Sequence, residues 1–226
     1  MNVELDFEKR YRLVREIIET LILTLLMFLI IRMAVQNFVV DGHSMEPSFH
    51  NNELVLVDKW SYLVHAPQRG DVIVFDAPPQ PGTDFIKRII GLPGDVITVT
   101  NGVPTVNGVT LKEFYVAPAN RAASGTDCPV NQVVVPPGEY FVMGDNRAGS
   151  FDSRSWGFLP AGKIIGRVAL IYWPFGADNY GFIPSAASVF ASIPPPSHLA
   201  SLSASLSSRS EQAFLSCANT ELHNGV

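Results

Sequence analysis

An almost unbroken apolar run from Ile17 to Ile31, interrupted only by Glu19, Thr20 and Thr24 and resuming after Arg32 as far as Val40, constrains this chain more than any other feature. A helix of about 20 such residues crosses the hydrocarbon core of a bilayer. Lys9, Arg10, Arg12 and Arg15 precede the run, whereas Met33 to Asp58 holds no Lys or Arg. By the positive-inside rule the N-terminus is then cytoplasmic and the rest of the chain lies on the far side. Arg32 and Glu19 sit near enough to the two ends to reach the interface. No Ala-x-Ala follows the run, so it reads as an uncleaved anchor rather than a removable secretory signal. The partner implied is the lipid bilayer, and the expected location is the plasma (inner) membrane.

Composition agrees: 47% of the 226 residues are hydrophobic and the mean hydropathy is +0.19, high for a chain wholly in water. A net charge of -5 and a pI near 5.5 leave no basic footprint for nucleic acid. Cys128 and Cys217 allow one bridge at most. The five histidines (His43, His50, His65, His198 and His223) are scattered, and neither a His-Glu-x-x-His nor a Cys-x-x-Cys occurs, so no metal site or cofactor is expected.

Beyond the anchor, "ELVLVDKW", "GDVIVFDAP", "DVITVTNGVPTVNGVTL", "QVVVPPGEYFVMGDN" and "IIGRVALIYWP" are short β-branched or aromatic runs bounded by Gly, Pro, Asn and Asp. These are strands and turns, and they predict a mainly β, antiparallel domain. Asn101-Gly102 and Asn107-Gly108 are hairpin signals that predict a small ribbon projecting from the core. No helix of ordinary length is evident after residue 60, which disfavours an α/β fold. After Pro184 the sequence turns to Ser, Ala and Pro, too poor in apolar surface to offset ordering entropy. The expected organisation is a cytoplasmic segment over 1–16, a membrane helix over 17–37, a β domain over 38–184 with a hairpin insertion within 96–140, and a disordered tail over 185–226.

Three stretches carry chemistry. In Asp41-Gly42-His43-Ser44-Met45-Glu46-Pro47, Ser44 reads as a nucleophile, which at neutral pH needs a base to take its proton. His43 is adjacent, but in an extended segment neighbouring side chains point to opposite faces, so the base is sought elsewhere. "FIKRIIGLPGD", Phe85 to Asp95, sets Lys87 among apolar residues; facing inward it could serve as base. Only the neutral amine can do so, which requires burial to lower the lysine pKa by roughly 2 to 3 units from about 10.4. "GDNRAGSFDSR", Gly144 to Arg154, is on bland terms a polar loop. Its carboxylates and guanidinium groups can equally brace a site through charge-assisted pairs.

An anchor with its N-terminus inside, then "SMEPS", then "FIKRIIGLPGD", then "GDNRAGSFDSR", resembles the bacterial type I signal peptidases, membrane-anchored Ser-Lys endopeptidases that remove signal peptides from exported proteins. The resemblance covers roughly Arg12 to Pro184. It implies an antiparallel β-sheet catalytic domain of the signal peptidase and LexA-like type, with Ser44 as nucleophile and Lys87 as general base. It further implies that Ser150 hydrogen-bonds and orients the lysine, that Asp145, Asp152 and Arg154 support the site, and that Met45 packs beside the nucleophile. The Ser44 amide becomes one oxyanion donor. Gly42 stands where many members carry a serine as second donor, leaving a water or another backbone amide for that role. The implied substrates are precursor proteins with small residues at the first and third positions before the cut, docked as an extended strand. Two rival readings are a self-cleaving protease of the LexA-like type, which carries a DNA-binding domain where this chain has an anchor, and a non-enzymatic membrane-tethered β module.

Overall fold

The computed structural model describes residues 2–121 and 130–194. It divides into two compact units, 1–36 and 37–226. The first is a helix, α1 (Asn2–Ala34), of which Tyr11–Ala34 is long and apolar enough to cross a membrane. Leu21, Ile22, Leu23, Leu25, Leu26 and Phe28 are each more than half exposed, on every side of the helix. A helix with apolar side chains on every side suits lipid, not water. Within the helix the Thr20 and Thr24 hydroxyls donate to the Glu16 and Thr20 carbonyls at 2.8 Å, and Arg15 pairs with Glu19 at 2.7 Å.

The helix ends at Ala34, not at the expected 37. Val35–Val39 is a strand, β1, and Phe38 and Val40 pack into the β domain. The last part of the apolar run therefore belongs to the sheet, consistent with the extended preference of β-branched residues.

The second unit contains β2 (Leu54–Asp58), α2 (Ser61–Val64), β3 (Val72–Asp76), β4 (Asp84–Gly91), β5 (Val96–Thr100), β6 (Val103–Val106), β7 (Val109–Thr110), β8 (Val130–Val134), β9 (Glu139–Met143), α3 (Ser153–Trp156), β10 (Leu159–Pro160), β11 (Ile164–Trp173), β12 (Gly181–Phe182) and α4 (Ala187–Phe190). As expected, the architecture is mainly antiparallel β, and the helices after residue 60 among the described residues are single turns. The main sheet runs β1-β2-β11-β3-β4-β9-β10, with β12 on the far part of β11. β3 alternates between two cores: Val72 and Val74 join Met45, Phe49, Val55 and Val57, while Ile73 and Phe75 join Ile89, Val142 and Leu159. With both faces covered, β3 reads as an unbroken apolar run.

β7-β6-β5-β8 form a second sheet. Both Asn-Gly turns are there, with Asn101, Gly102, Asn107 and Gly108 all at positive φ, as tight hairpins joining right-twisted strands require. The ribbon does not merely project, however. Ile97, Val99 and Val106 are fully buried and share a core with Ile90, Phe141 and Met143 of the main sheet. Alternation along β5 and β6 supplies the apolar face that makes this packing possible.

The expected tail also changes. Ala186, Phe190 and Ile193 are buried in that same core, and Asn107 Nδ2 donates to the Pro194 carbonyl at 3.2 Å. One aromatic and one isoleucine supply the apolar area that the average composition of the segment concealed. The remainder of that expectation, 195–226, and both Cys128 and Cys217 lie outside the described residues. Phe190→Ala is expected to destabilise the domain by about 3 kcal/mol in denaturant unfolding. An unchanged midpoint would show that the segment contributes nothing to the core.

Candidate active site

β4 presents Lys87 and Arg88 in succession, and as strand neighbours they serve opposite faces. Lys87 is only 4% exposed, and its Nζ lies 2.7 Å from Ser44 Oγ, also donating to the Ile86 carbonyl at 3.0 Å. Burial pushes the Lys87 ammonium down to about 8; Asp152 and Asp145 oppose the shift and Arg154 adds to it. Desolvation penalises the charged form, and the carboxylates recover only part of that penalty. Arg88 does not act on Lys87 directly. It grips Asp145 with two bonds, 2.9 and 2.6 Å, donates to the Gly70 carbonyl and lies 4.0 Å from the Tyr115 ring centroid.

Ser44 stands on the turn between β1 and β2. Met45 beneath it is 1% exposed and anchors the turn in the core. Gly42 adopts φ +96, a region that penalises a side chain whatever the space around it. Its amide donates to Asn51 Oδ1 at 2.9 Å. Gly42 therefore offers neither a side chain nor a free amide as second oxyanion donor. His43 is set aside by the structure as well: its side chain is 67% exposed and its Nδ1 lies 2.7 Å from Glu46 Oε1, so it pairs with that carboxylate and not with Ser44.

The Gly144–Arg154 loop braces the site from the other side. Asp145, fully buried, accepts from Arg88 and from Ser48 Oγ at 2.6 Å, which ties the loop to β4 and to the Ser44 turn. Asp152 is fully buried too and accepts from Arg154 Nε at 2.8 Å and from the Gly144 amide at 2.9 Å. Burial alone would raise the Asp152 pKa, but the Arg154 charge and these hydrogen bonds hold it below the ordinary value. Arg154 Nη2 also donates to the Arg147 carbonyl at 2.8 Å. Asp145, Asp152 and Arg154 are thus each buried and each held in an ion pair, Asp145 with Arg88 and Asp152 with Arg154. The expected bond from Ser150 to Lys87 is not formed: Ser150 Oγ is buried but packs on Gly144, where any side chain at 144 would collide with it and with the Ser44 carbonyl.

Several members of this frame were not legible in the sequence. Arg147, 2% exposed, reaches out of the loop to Glu113 at 2.5 Å, and Glu113 accepts from Tyr115 OH at 2.7 Å. Ser48, Arg88 and Asn146 also contribute. Nothing local marks Glu113, whose partner is 34 residues away.

Ser44 and Lys87 open onto a cleft of about 350 Å³ with apolar walls that include Phe38, Val40, Val74, Ile86 and Phe151. β9 pairs with β4 only over Arg88–Gly91, so the Asp84–Lys87 edge facing the cleft has no strand beside it among the described residues. That edge can receive an extended peptide. Among the described residues no cluster of His, Cys, Asp and Glu could hold a metal ion.

The family model described as "Signal peptidase, peptidase S26" matches residues 14–173. Signal peptidase I of Bacillus caldolyticus is 40% identical over 154 residues, covering 65% of this chain and 84% of that protein. Probable signal peptidase I-2 of Synechocystis is 37% identical over 166 residues, covering 67% and 71%. The crystal structure of a signal peptidase I from Enterococcus faecalis aligns at TM-score 0.39 with 36% identity, over 46% of this chain and 97% of that one.

Proposed function

The chain belongs to the signal peptidase (peptidase S26) family, as a membrane-anchored peptidase that removes signal peptides, and from that premise we propose that it works through a Ser44–Lys87 dyad. The observation that carries this reading is the 2.7 Å approach of Lys87 Nζ to Ser44 Oγ, with the lysine almost wholly buried. A buried amine without a function would be a standing cost to stability.

Neutral Lys87 takes the Ser44 proton as Oγ attacks the scissile carbonyl, and the Ser44 amide meets the developing oxyanion. The resulting ammonium gives its proton to the departing amine, leaving an ester on Ser44. Lys87, neutral again, then activates the water that hydrolyses this ester. Asp145, Asp152, Arg154 and Arg88 hold the two elements at this distance without touching substrate. The substrates are precursor proteins whose segment before the cut lies extended along the Asp84–Lys87 edge, with alternate side chains in the cleft. The basic residues before the helix support, by the positive-inside rule, an N-terminus in the cytoplasm and a β domain on the extracytoplasmic side.

Apolar walls that include Phe38, Phe151, Val74 and Ile86 support a steric selection, in which small side chains before the cut are accepted and bulky ones refused. Replacing the small residue before the cut by Phe should stop cleavage of a precursor at that bond, read by gel mobility and mass of the product. Efficient cutting of the Phe substrate at the original bond would sink the steric account.

A further inference from the structure

Resting on the reading of Ser44 as nucleophile, we propose that Asn146 is the positioning residue of the oxyanion hole, because it pins the peptide groups on both sides of Ser44. Its side-chain Nδ2 donates to the His43 carbonyl at 3.1 Å, and its backbone amide donates to the Ser44 carbonyl at 3.0 Å. The Glu46 amide also reaches the His43 carbonyl, at 3.3 Å, as part of the local turn. Asn146 is thus the long-range partner of two successive carbonyls, and it reaches the first across 103 residues.

The geometry of the peptide bond turns this into a statement about catalysis. In a planar trans peptide the C=O and N–H point in opposite directions. Holding the His43 carbonyl therefore directs the Ser44 N–H to the other side of the turn. That N–H has no acceptor among the described residues, as an oxyanion donor requires. Holding the Ser44 carbonyl as well prevents the two peptides from rotating together about the Ser44 side chain.

A second feature fixes the Asn146 amide itself. Its Oδ1 accepts from the Gly149 amide at 3.2 Å, which sets the oxygen toward Gly149 and the NH₂ toward His43. A Cβ at Gly149 would lie 2.9 Å from Asn146 Nδ2, so a residue without a side chain is needed there for the amide to keep this place. Asn146 touches neither substrate nor the reacting atoms; it acts through the Ser44 peptide.

The test compares the full chain with Asn146→Leu and Asn146→Asp. Leu keeps the bulk and loses both side-chain hydrogen bonds; Asp keeps the acceptor for Gly149 and loses the donor to His43. Both should lower the high-pH plateau of kcat by roughly 10- to 100-fold with KM nearly unchanged, since a misaimed donor is lost mainly in the transition state. The midpoint of the pH profile should stay in place in Asn146→Leu. Affinity for a peptide aldehyde, whose hemiacetal oxygen on Ser44 occupies the oxyanion position, should fall in step with kcat/KM, whereas affinity for an uncleavable peptide of the same sequence should not. Unchanged aldehyde affinity, a loss explained wholly by a shifted midpoint, or a loss equal to the unfolded fraction in thermal melts would each overturn the proposal. Failure of the underlying reading has a different signature: cleavage by the wild-type chain that persists in Ser44→Ala.

Discussion

Precursor cleavage is expected to fall by about four orders of magnitude or more in both Ser44→Ala and Lys87→Ala, with the double variant hardly worse than either. The 2.7 Å contact makes them one unit: the hydroxyl is unreactive without an acceptor for its proton, and the amine has no other chemical task in the site. Lys87→Arg should fail as completely, because a guanidinium stays protonated and cannot accept the proton. His43→Ala should stay within a few-fold of wild type, since its imidazole is turned to Glu46 and to solvent. Rates are read on a purified precursor, with thermal melts to show that each variant is folded. Lys87→Ala activity within tenfold of wild type would falsify the dyad.

The rate should rise with pH along one ionisation centred near 8, the Lys87 value that burial imposes. For such a group the neutral fraction is roughly 1% at pH 6, half at pH 8 and nearly all at pH 10, so kcat should climb about 100-fold over that span. Stability carries the same signature. Because the folded-state pKa lies below the unfolded value of 10.5, the native state holds fewer protons between the two, and its stability increases with pH across the window from about 8 to 10.5. Below that window the penalty for the buried charge is fully present, of order 3 kcal/mol; above it the penalty is gone. Lys87→Met, which keeps the volume and loses the charge, should accordingly be more stable than wild type at pH 7, with the advantage vanishing by about pH 10.5. A kinetic midpoint near 10.4 would mean a solvated lysine, and a midpoint near 6.5 that disappears in His43→Ala would assign the base to the histidine.

Much of this molecule is decided by local rules. The apolar run dictates a lipid-facing helix because nothing else solvates such a surface. Alternating β-branched segments broken by Asn-Gly dictate hairpins, because only residues tolerant of positive φ make those turns. Ser44, Met45 and Lys87 were readable as a constellation because the motifs that carry them are compact, and the structure brings the first and last into contact.

The tertiary structure alone decided the partnerships. Asp145 and Arg147 are two residues apart and share no bond: Asp145 takes Arg88, 57 residues away, and Arg147 takes Glu113, in the segment that follows β7. Which charge meets which depends on strand register and on the packing of one sheet against the other, and neither is encoded within a window of ten residues. For the same reason Ser150 faces Gly144 in place of Lys87, the hairpin insertion is part of the core, and Phe190 is buried although its neighbours are Ser, Ala and Pro. Composition averages over a segment, whereas burial is settled residue by residue by the cavity that the rest of the fold leaves open. Sequence thus determines the anchor, the strands and the candidate pair Ser44 and Lys87; the fold determines the buried frame around that pair, because desolvation and charge pairing are properties of the assembled interior.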